Sequence, residues 1–286
     1  MLPFSRDSVQ VAPATVRSDP SDRTALTIEY DGSAFSGWQK QKSPALNTVQ
    51  EILETALVKV ADQPVAVVCA GRTDAGVHAT AQVVHFDCQK PRGKQAWIQG
   101  VNSLLPRGVR VVAANPVEET FHARFSAEYR RYCYLISSAP VASGIFHGKV
   151  TCLERPLDTQ VMHRAAQRLV GERDFSAFRA AGCQSASANR NVQAVSVVDW
   201  FGITVIDIRA NAFLQHMVRN ISGSLIDIGS GKQKEAWIGE VLESKDRRRA
   251  GVTAPPDGLY LVEIGYHQSA LSGNEPRFPL LLAGYE

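Results

Sequence analysis

Residues 65–69, rich in Val, and residues 81–86, Ala-Gln-Val-Val-His-Phe, have the composition of two strands, one entering and one leaving a polar turn. The turn reads Gly71-Arg72-Thr73-Asp74-Ala75-Gly76-Val77-His78. Burial does not select an Arg, a Thr and an Asp packed between two glycines with a His just beyond. Gly71 and Gly76 admit backbone shapes that a Cβ would forbid, including close approach of a ligand. The segment therefore calls for a sheet that carries one carboxylate, Asp74, at a strand end. In an extended backbone Arg72 and Asp74 project to the same side. A neighbouring cation would favour ionised Asp74, and a plain Arg72–Asp74 ion pair would also account for both residues.

The rest of the chain alternates between the two periodicities. Residues 24–30 and 109–114 read as strands, and Asp31-Gly32 as a turn. Thr48-Val49-Gln50-Glu51 has the form of a capping box, followed by a helix with Val49, Ile52, Leu53, Ala56, Leu57 and Val60 on one face. A further helix is expected over 95–104. After a strand at 129–136, Asp158 caps a helix bearing Val161, Met162, Ala165, Leu169 and Val170. Residues 192–200 and 204–210 form a hairpin around Phe201-Gly202; helices follow at 213–228 and 237–242, and a strand at 259–266. Strands interleaved with helices that cover one face predict an α+β fold, two halves with mainly antiparallel sheets covered by helices. The predicted boundaries are a disordered extension (1–23), an N-terminal half carrying Asp74 (24–120), a C-terminal half (121–268) and a tail (269–286).

Composition narrows the class. No apolar run approaches the roughly 18 residues needed to span a bilayer, and the first 23 residues lack the apolar core of a secretory signal. Five cysteines, an odd number with no Cys-x-x-Cys pair, argue against a disulfide framework or zinc ribbon and suit a reducing cytoplasm. Net charge is only +3, but residues 121–220 hold 12 basic and 7 acidic side chains, whereas residues 1–120 hold 12 of each. A surplus concentrated in one stretch suits a phosphate-binding face.

Gly71-Arg72-Thr73-Asp74-Ala75-Gly76-Val77-His78-Ala79 resembles the signature of the tRNA pseudouridine synthase A family. Three further blocks resemble the family in order. They are Tyr30-Asp31-Gly32-Ser33-Ala34-Phe35-Ser36-Gly37-Trp38-Gln39-Lys40-Gln41 with Thr48-Val49-Gln50-Glu51, then Phe121-His122-Ala123-Arg124-Phe125-Ser126 with Arg130-Arg131-Tyr132-Cys133-Tyr134. The last comprises Asn211-Ala212-Phe213-Leu214-Gln215-His216-Met217-Val218-Arg219-Asn220 and Gly258-Leu259-Tyr260-Leu261. The resemblance implies two related halves with a basic active-site cleft between them, and isomerisation of uridine to pseudouridine at positions 38, 39 and 40 of the tRNA anticodon stem-loop. It implies a cytoplasmic homodimer that grips one tRNA across both subunits, with no metal, organic cofactor or membrane.

Pseudouridine formation breaks the bond from ribose C1′ to N1, rotates the uracil and rejoins it through C5. By resemblance Asp74 is the catalytic nucleophile; attack at C1′, attack at C6 and deprotonation of the sugar all stay open. The match ties Arg72 to base flipping. Tyr132 and Tyr134 share one strand face, and the match picks Tyr132 as substrate-binding; it also places Leu259 against the target base. Arg92, Arg124, Arg131 and Arg219 are phosphate-contact candidates, whereas Arg247-Arg248-Arg249 reads as a solvated helix end. Trp38 and Phe35 read as support for the site. His78, His85 and Asp74 invite a metal reading, but they span a turn and a strand rather than one helix face. An RNA-binding module without catalysis would want RRM-type aromatic motifs, and none is present.

Overall fold

The expected strands pair into one sheet. The structure, a computed structural model, describes residues 23–41, 46–90, 92–267, 271 and 275–285, and among these ten strands form a single sheet. β1 (Arg23–Tyr30) lies antiparallel between β4 (Val109–Pro116) and β3 (His78–Asp87). The short β2 (Val68–Cys69) pairs with β3 at Val84 and His85. In the second group, β8 (Asn189–Trp200) and β9 (Ile203–Ala210) form the expected hairpin. β9 pairs with β5 (Ala127–Ser138), β7 (Gly171–Asp174) closes the far edge, and β6 (Thr151–Leu153) runs parallel to β5. The hairpin turn has positive φ at both centres, 49° at Phe201 and 85° at Gly202, the backbone that lets two strands keep their right-handed twist. β10 (Leu259–Tyr266) joins the groups, antiparallel to β5 and parallel to β3. The parallel contact is brief, with Tyr260 opposite His78 and Leu261 opposite Ala79.

The helices sit on one face. α1 (Val49–Ala61) and α2 (Val101–Leu104) cover the first group of strands; α3 (Thr159–Ala166), α4 (Met217–Gly229) and α5 (Trp237–Ser244) cover the second. Leu53, Leu57, Met162, Ile221 and Leu225 from these helices pack in one core with Leu26, Ile28, Val83, Ile206 and Ile208 from the strands. β5 shows the alternation that builds two layers. Tyr132, Tyr134 and Ile136 face the helices, while Cys133 and Leu135 face a smaller core that Leu282, Phe278, Leu281 and Tyr285 cover.

Several local expectations need correction. Arg23 already belongs to β1, and the rest of the predicted extension lies outside the described residues, as does most of the stretch 268–276. Thr48 does not cap α1 through its side chain. The free amides of Val49 and Gln50 donate instead to the carbonyls of Gly37 (3.2 Å) and Trp38 (3.1 Å), and the Thr48 hydroxyl is buried without a partner among the described residues. Asp158 does cap α3, accepting from the Val161 amide at 3.0 Å. The helix expected over 95–104 opens with a wide turn, Ala96–Gly100, before α2. α4 starts at Met217 rather than 213. Residues 211–216 are held out of the helix by tertiary bonds: Asn211 Oδ1 accepts from the Asn191 amide (3.0 Å) and the Gln215 carbonyl from the Ala180 amide (3.1 Å).

Candidate active site

Asp74 sits on the loop between β2 and β3, and the opening segment clamps that loop. Trp38 N–H donates to the Thr73 carbonyl (3.0 Å), and Gly76 N–H to that of Phe35 (3.3 Å). The Tyr30 and Thr73 hydroxyls share a 2.7 Å hydrogen bond. Gln82 grips Gly71 on both sides, donating to its carbonyl (2.5 Å) and accepting from its amide (3.3 Å). Gly76 is required where it stands: φ is +80°, and a Cβ would lie 2.7 Å from Pro256 Cγ. Gly71 carries no such requirement, contrary to expectation: its φ is not in the left-handed region, and a Cβ there would make only an ordinary 3.8 Å contact with the Tyr132 hydroxyl. The outcome is a fixed loop whose one carboxylate is 29% exposed to a cleft of about 1120 Å³.

The cation beside Asp74 is not Arg72. Asp74 Oδ2 lies 3.4 Å from Arg219 Nη1 and 3.5 Å from His216 Nε2. Arg219 is anchored by a second bond, from Nε to the Ala254 carbonyl at 2.8 Å. His216 precedes α4 in the left-handed conformation (φ 59°), an unusual backbone for a non-glycine residue. His216, just before α4, and Arg219, in its first turn, thus bring an imidazole nitrogen and a guanidinium to one carboxylate oxygen. Arg72 is exposed, lines the cleft and forms no ion pair with Asp74. The plain Arg72–Asp74 pair is therefore absent, and its guanidinium faces the open cleft.

The two tyrosines separate cleanly. Tyr134 is fully buried and its hydroxyl donates to the Pro255 carbonyl at 2.9 Å. Tyr132 lines the cleft, packs edge-on against Phe213 with ring centroids 5.1 Å apart, and has no hydrogen-bond partner for its hydroxyl among the described residues. Burial, and then the charge of Asp74, push the Tyr132 phenol above the ordinary range, so it stays protonated. Leu259 also lines the cleft, one strand over at the start of β10.

Five arginines line the cleft (Arg72, Arg124, Arg130, Arg190 and Arg219) and Asp74 is the only carboxylate among the lining residues. Of the predicted phosphate contacts, Arg124 and Arg219 are there; Arg92 and Arg131 are not. Arg92 is exposed elsewhere. Arg131 follows the β5 alternation onto the opposite face, bound to Asp207 (Nη2 to Oδ2, 2.6 Å) and stacked on Phe278 (4.9 Å). The hydrogen bond and charge of Asp207 raise its pKa. Arg247 is no solvated helix end either, since it donates to Asn220 Oδ1 and Thr253 Oγ1, each at 2.9 Å.

Sequence reasoning missed Arg130. Its guanidinium is buried and meets only carbonyls: Ala70 (2.8 Å), Arg124 (2.6 Å), Ala127 (3.1 Å) and Asn211 (3.0 Å). These belong to the strand end before the Asp74 loop, the turn before β5 and the segment before α4. One side chain ties three walls of the cleft. The signal was an Arg doublet entering a strand, where alternation sends one member inward.

His78 and His85, the two histidines of the metal reading, are committed to the fold, and His85 Nδ1 accepts from the Ala123 amide (3.1 Å). His78 Nδ1 accepts from the Gly32 amide (3.0 Å), its Nε2 meets the Asp257 carbonyl (3.1 Å), and its ring stacks on Tyr260. Burial, and then the charge of Lys149, lower its pKa, which keeps it neutral. Among the described residues no group of three or more His, Cys, Asp or Glu is placed to hold a metal ion.

The sequence profile of a family described as tRNA pseudouridine synthase matches residues 26–126 and 165–267. Relatives named tRNA pseudouridine synthase A include one from Hydrogenovibrio crunogenus, 51% identical over 86% of this chain and 93% of its own. Another, from Idiomarina loihiensis, is 52% identical over 91% and 99%, and one from Legionella pneumophila is 49% identical over 91% and 98%. A far fainter likeness (TM-score 0.32, 11% identity, 84% of this chain and 49% of the other) links it to a chain in the crystal structure of a Cbf5-Nop10-Gar1 complex.

Proposed function

We propose, from the premise that this chain belongs to the tRNA pseudouridine synthase family, that it isomerises uridine to pseudouridine at positions 38, 39 and 40 of tRNA anticodon stem-loops with Asp74 as the reacting carboxylate. The observation that carries the site assignment is electrostatic: among the described residues one carboxylate lines a cleft that also carries five arginines. Of the lining guanidiniums, the exposed Arg72 and Arg124 are free to meet backbone phosphates, and the nucleotide that reaches the cleft floor meets Asp74.

The reaction asks for no net atoms. The C1′–N1 bond breaks, the uracil turns, C5 bonds to C1′, the C5 proton leaves and N1 gains one. Asp74 stabilises the sugar or base covalently or by charge while the glycosidic bond is open. Arg219 and His216 orient its carboxylate from α4. Tyr132 offers a ring for the uracil to stack on and a protonated hydroxyl, with Leu259 completing the apolar wall. Arg72, unpaired with Asp74 and exposed, is placed to take the phosphate or the vacancy of a flipped nucleotide. The division into halves at residue 120, the homodimer and the cytoplasmic setting belong to the same proposal.

The test uses tRNA labelled with tritium at uridine C5, because that proton must leave. The protein is expected to release tritium and place pseudouridine at the three positions, and Asp74→Asn to bind tRNA without turnover. Residual turnover above about a tenth of wild type would remove Asp74 from the chemistry.

A further inference from the structure

Phe125 is an apolar ring that the fold spends effort to expose. Its turn alternates inward and outward: Phe121 and Ala123 are buried, whereas Phe125 is 77% exposed. The turn is also rigid. His122 Nδ1 accepts from the amides of Arg124 (3.2 Å) and Phe125 (3.1 Å), His122 N–H donates to Ser126 Oγ (2.9 Å), and Ser126 N–H returns to the His122 carbonyl (2.8 Å). Arg130 holds the Arg124 carbonyl at 2.6 Å and, with the same guanidinium, the strand end before Asp74. The ring stands at a fixed place relative to the reacting carboxylate.

Its surroundings have the chemistry of a nucleotide site. His122 stacks against the Phe125 ring at 4.3 Å with planes 28° apart, and the Arg124 guanidinium lies 5.6 Å from the ring centroid. Arg124 lines the cleft and forms no ion pair with a described residue. A nucleotide presents a flat apolar base beside a charged phosphate, the complement of an exposed ring beside an unpaired guanidinium.

We propose that Phe125 is a stacking platform for an unpaired nucleobase of the RNA substrate at the cleft rim, with Arg124 meeting that nucleotide's phosphate. This rests on the reading of the chain as an RNA-modifying enzyme. The base is a second nucleotide, outside the reacting position, so the platform sets affinity rather than chemistry.

The test compares full-length wild type with Phe125→Ala, Phe125→Leu and Phe125→Trp, measuring tRNA affinity over a salt series, tritium release at saturating tRNA, and mass by sedimentation. Phe125→Ala is expected to weaken affinity about tenfold with an unchanged salt slope, since no charge is removed. Saturated turnover stays at the wild-type level. Phe125→Trp keeps affinity, and Phe125→Leu, apolar but not planar, loses it. An alanine variant within twofold of wild type overturns the platform. So does a leucine variant that binds normally, or a fall in mass showing that the ring packs on a second copy of the chain. Failure of wild type itself to release tritium would overturn the functional reading instead, a separable result.

Discussion

Replacing Arg130 with Met tests whether one buried guanidinium assembles the cleft. The substitution keeps an unbranched apolar stem and removes every bond to the carbonyls of Ala70, Arg124, Ala127 and Asn211. Ala70 is 2% exposed, so its carbonyl loses a partner that water does not readily replace, at a cost of about 2 kcal/mol. Arg124 and Asn211 are exposed and Ala127 is half-buried, and the bonds to these three carbonyls are together worth about 2 kcal/mol once water competes. Burial lowers the Arg130 pKa, a sign that the charged form is held at a cost; removing it returns about 1 kcal/mol. The net loss is about 3 kcal/mol, or roughly 6–10 °C in melting temperature for a chain of this size. Turnover is expected to fall more than tenfold even well below the variant's melting temperature, because three cleft walls lose their common tie. Arg130→Lys, with three donors and no planar fork, falls between. The checks are thermal unfolding and single-turnover tritium release on the folded variant. Stability within 0.5 kcal/mol of wild type refutes the energetics, and a destabilised variant with normal turnover refutes the positioning.

Thr48→Val is expected to raise stability by about 1 kcal/mol in denaturant titrations, because the lost hydroxyl is buried, has no partner among the described residues and makes no capping bond; a destabilised variant would show that the hydroxyl has a partner after all. Burial, and then the charges of Arg23 and His122, lower the His85 pKa to about 4, while the unfolded value is about 6.5. Between those values the unfolded chain binds the extra proton, so stability falls as pH drops from about 6.5 to about 4; His85→Asn should flatten that limb of the unfolding profile, and an unaltered slope would clear His85. Tyr134→Phe should cost about 1 kcal/mol of stability and leave turnover intact, whereas Tyr132→Phe should leave stability unchanged and keep substantial turnover, with Tyr132→Ala losing it; equal, severe losses for both Tyr132 variants would point to hydroxyl chemistry.

The order of elements was legible because hydrophobic period is a local property, and the strands, the Phe201-Gly202 turn and the Asp158 cap each declare themselves within a few residues. What was not legible came from distant partners. Thr48 looks like a cap because Ser/Thr-x-x-Glu is a local pattern, yet the carbonyls of Gly37 and Trp38 already occupy the helix amides. Residues 213–216 continue the apolar stripe of α4 and still lie outside it, tied to Ala180 and Cys183. The same limit governs the site. Arg72 is two residues from Asp74 and was the natural partner; Arg219, which pairs with Asp74, lies 145 residues away. Arg130 and Arg131 are indistinguishable neighbours in sequence. Only the register of β5 sends one to the cleft and the other to Asp207.

The central position of β10 sets an order of assembly. It is the last strand among the described residues, yet it lies between β3 and β5 and supplies Leu259 to the cleft. During synthesis the strands β4, β1 and β3 can pair among themselves, whereas the strand that joins them to β5 and carries Leu259 is made only with residues 259–266. Until then β3 and β5 present unpaired edges, the kind of surface that invites association with another nascent chain. Closing the sheet brings Tyr260 to His78 across 182 positions, a long loop whose entropy must be lost before the contact stabilises anything. Docking of one late strand is thus the step expected to limit folding and to gate the appearance of activity on a growing chain.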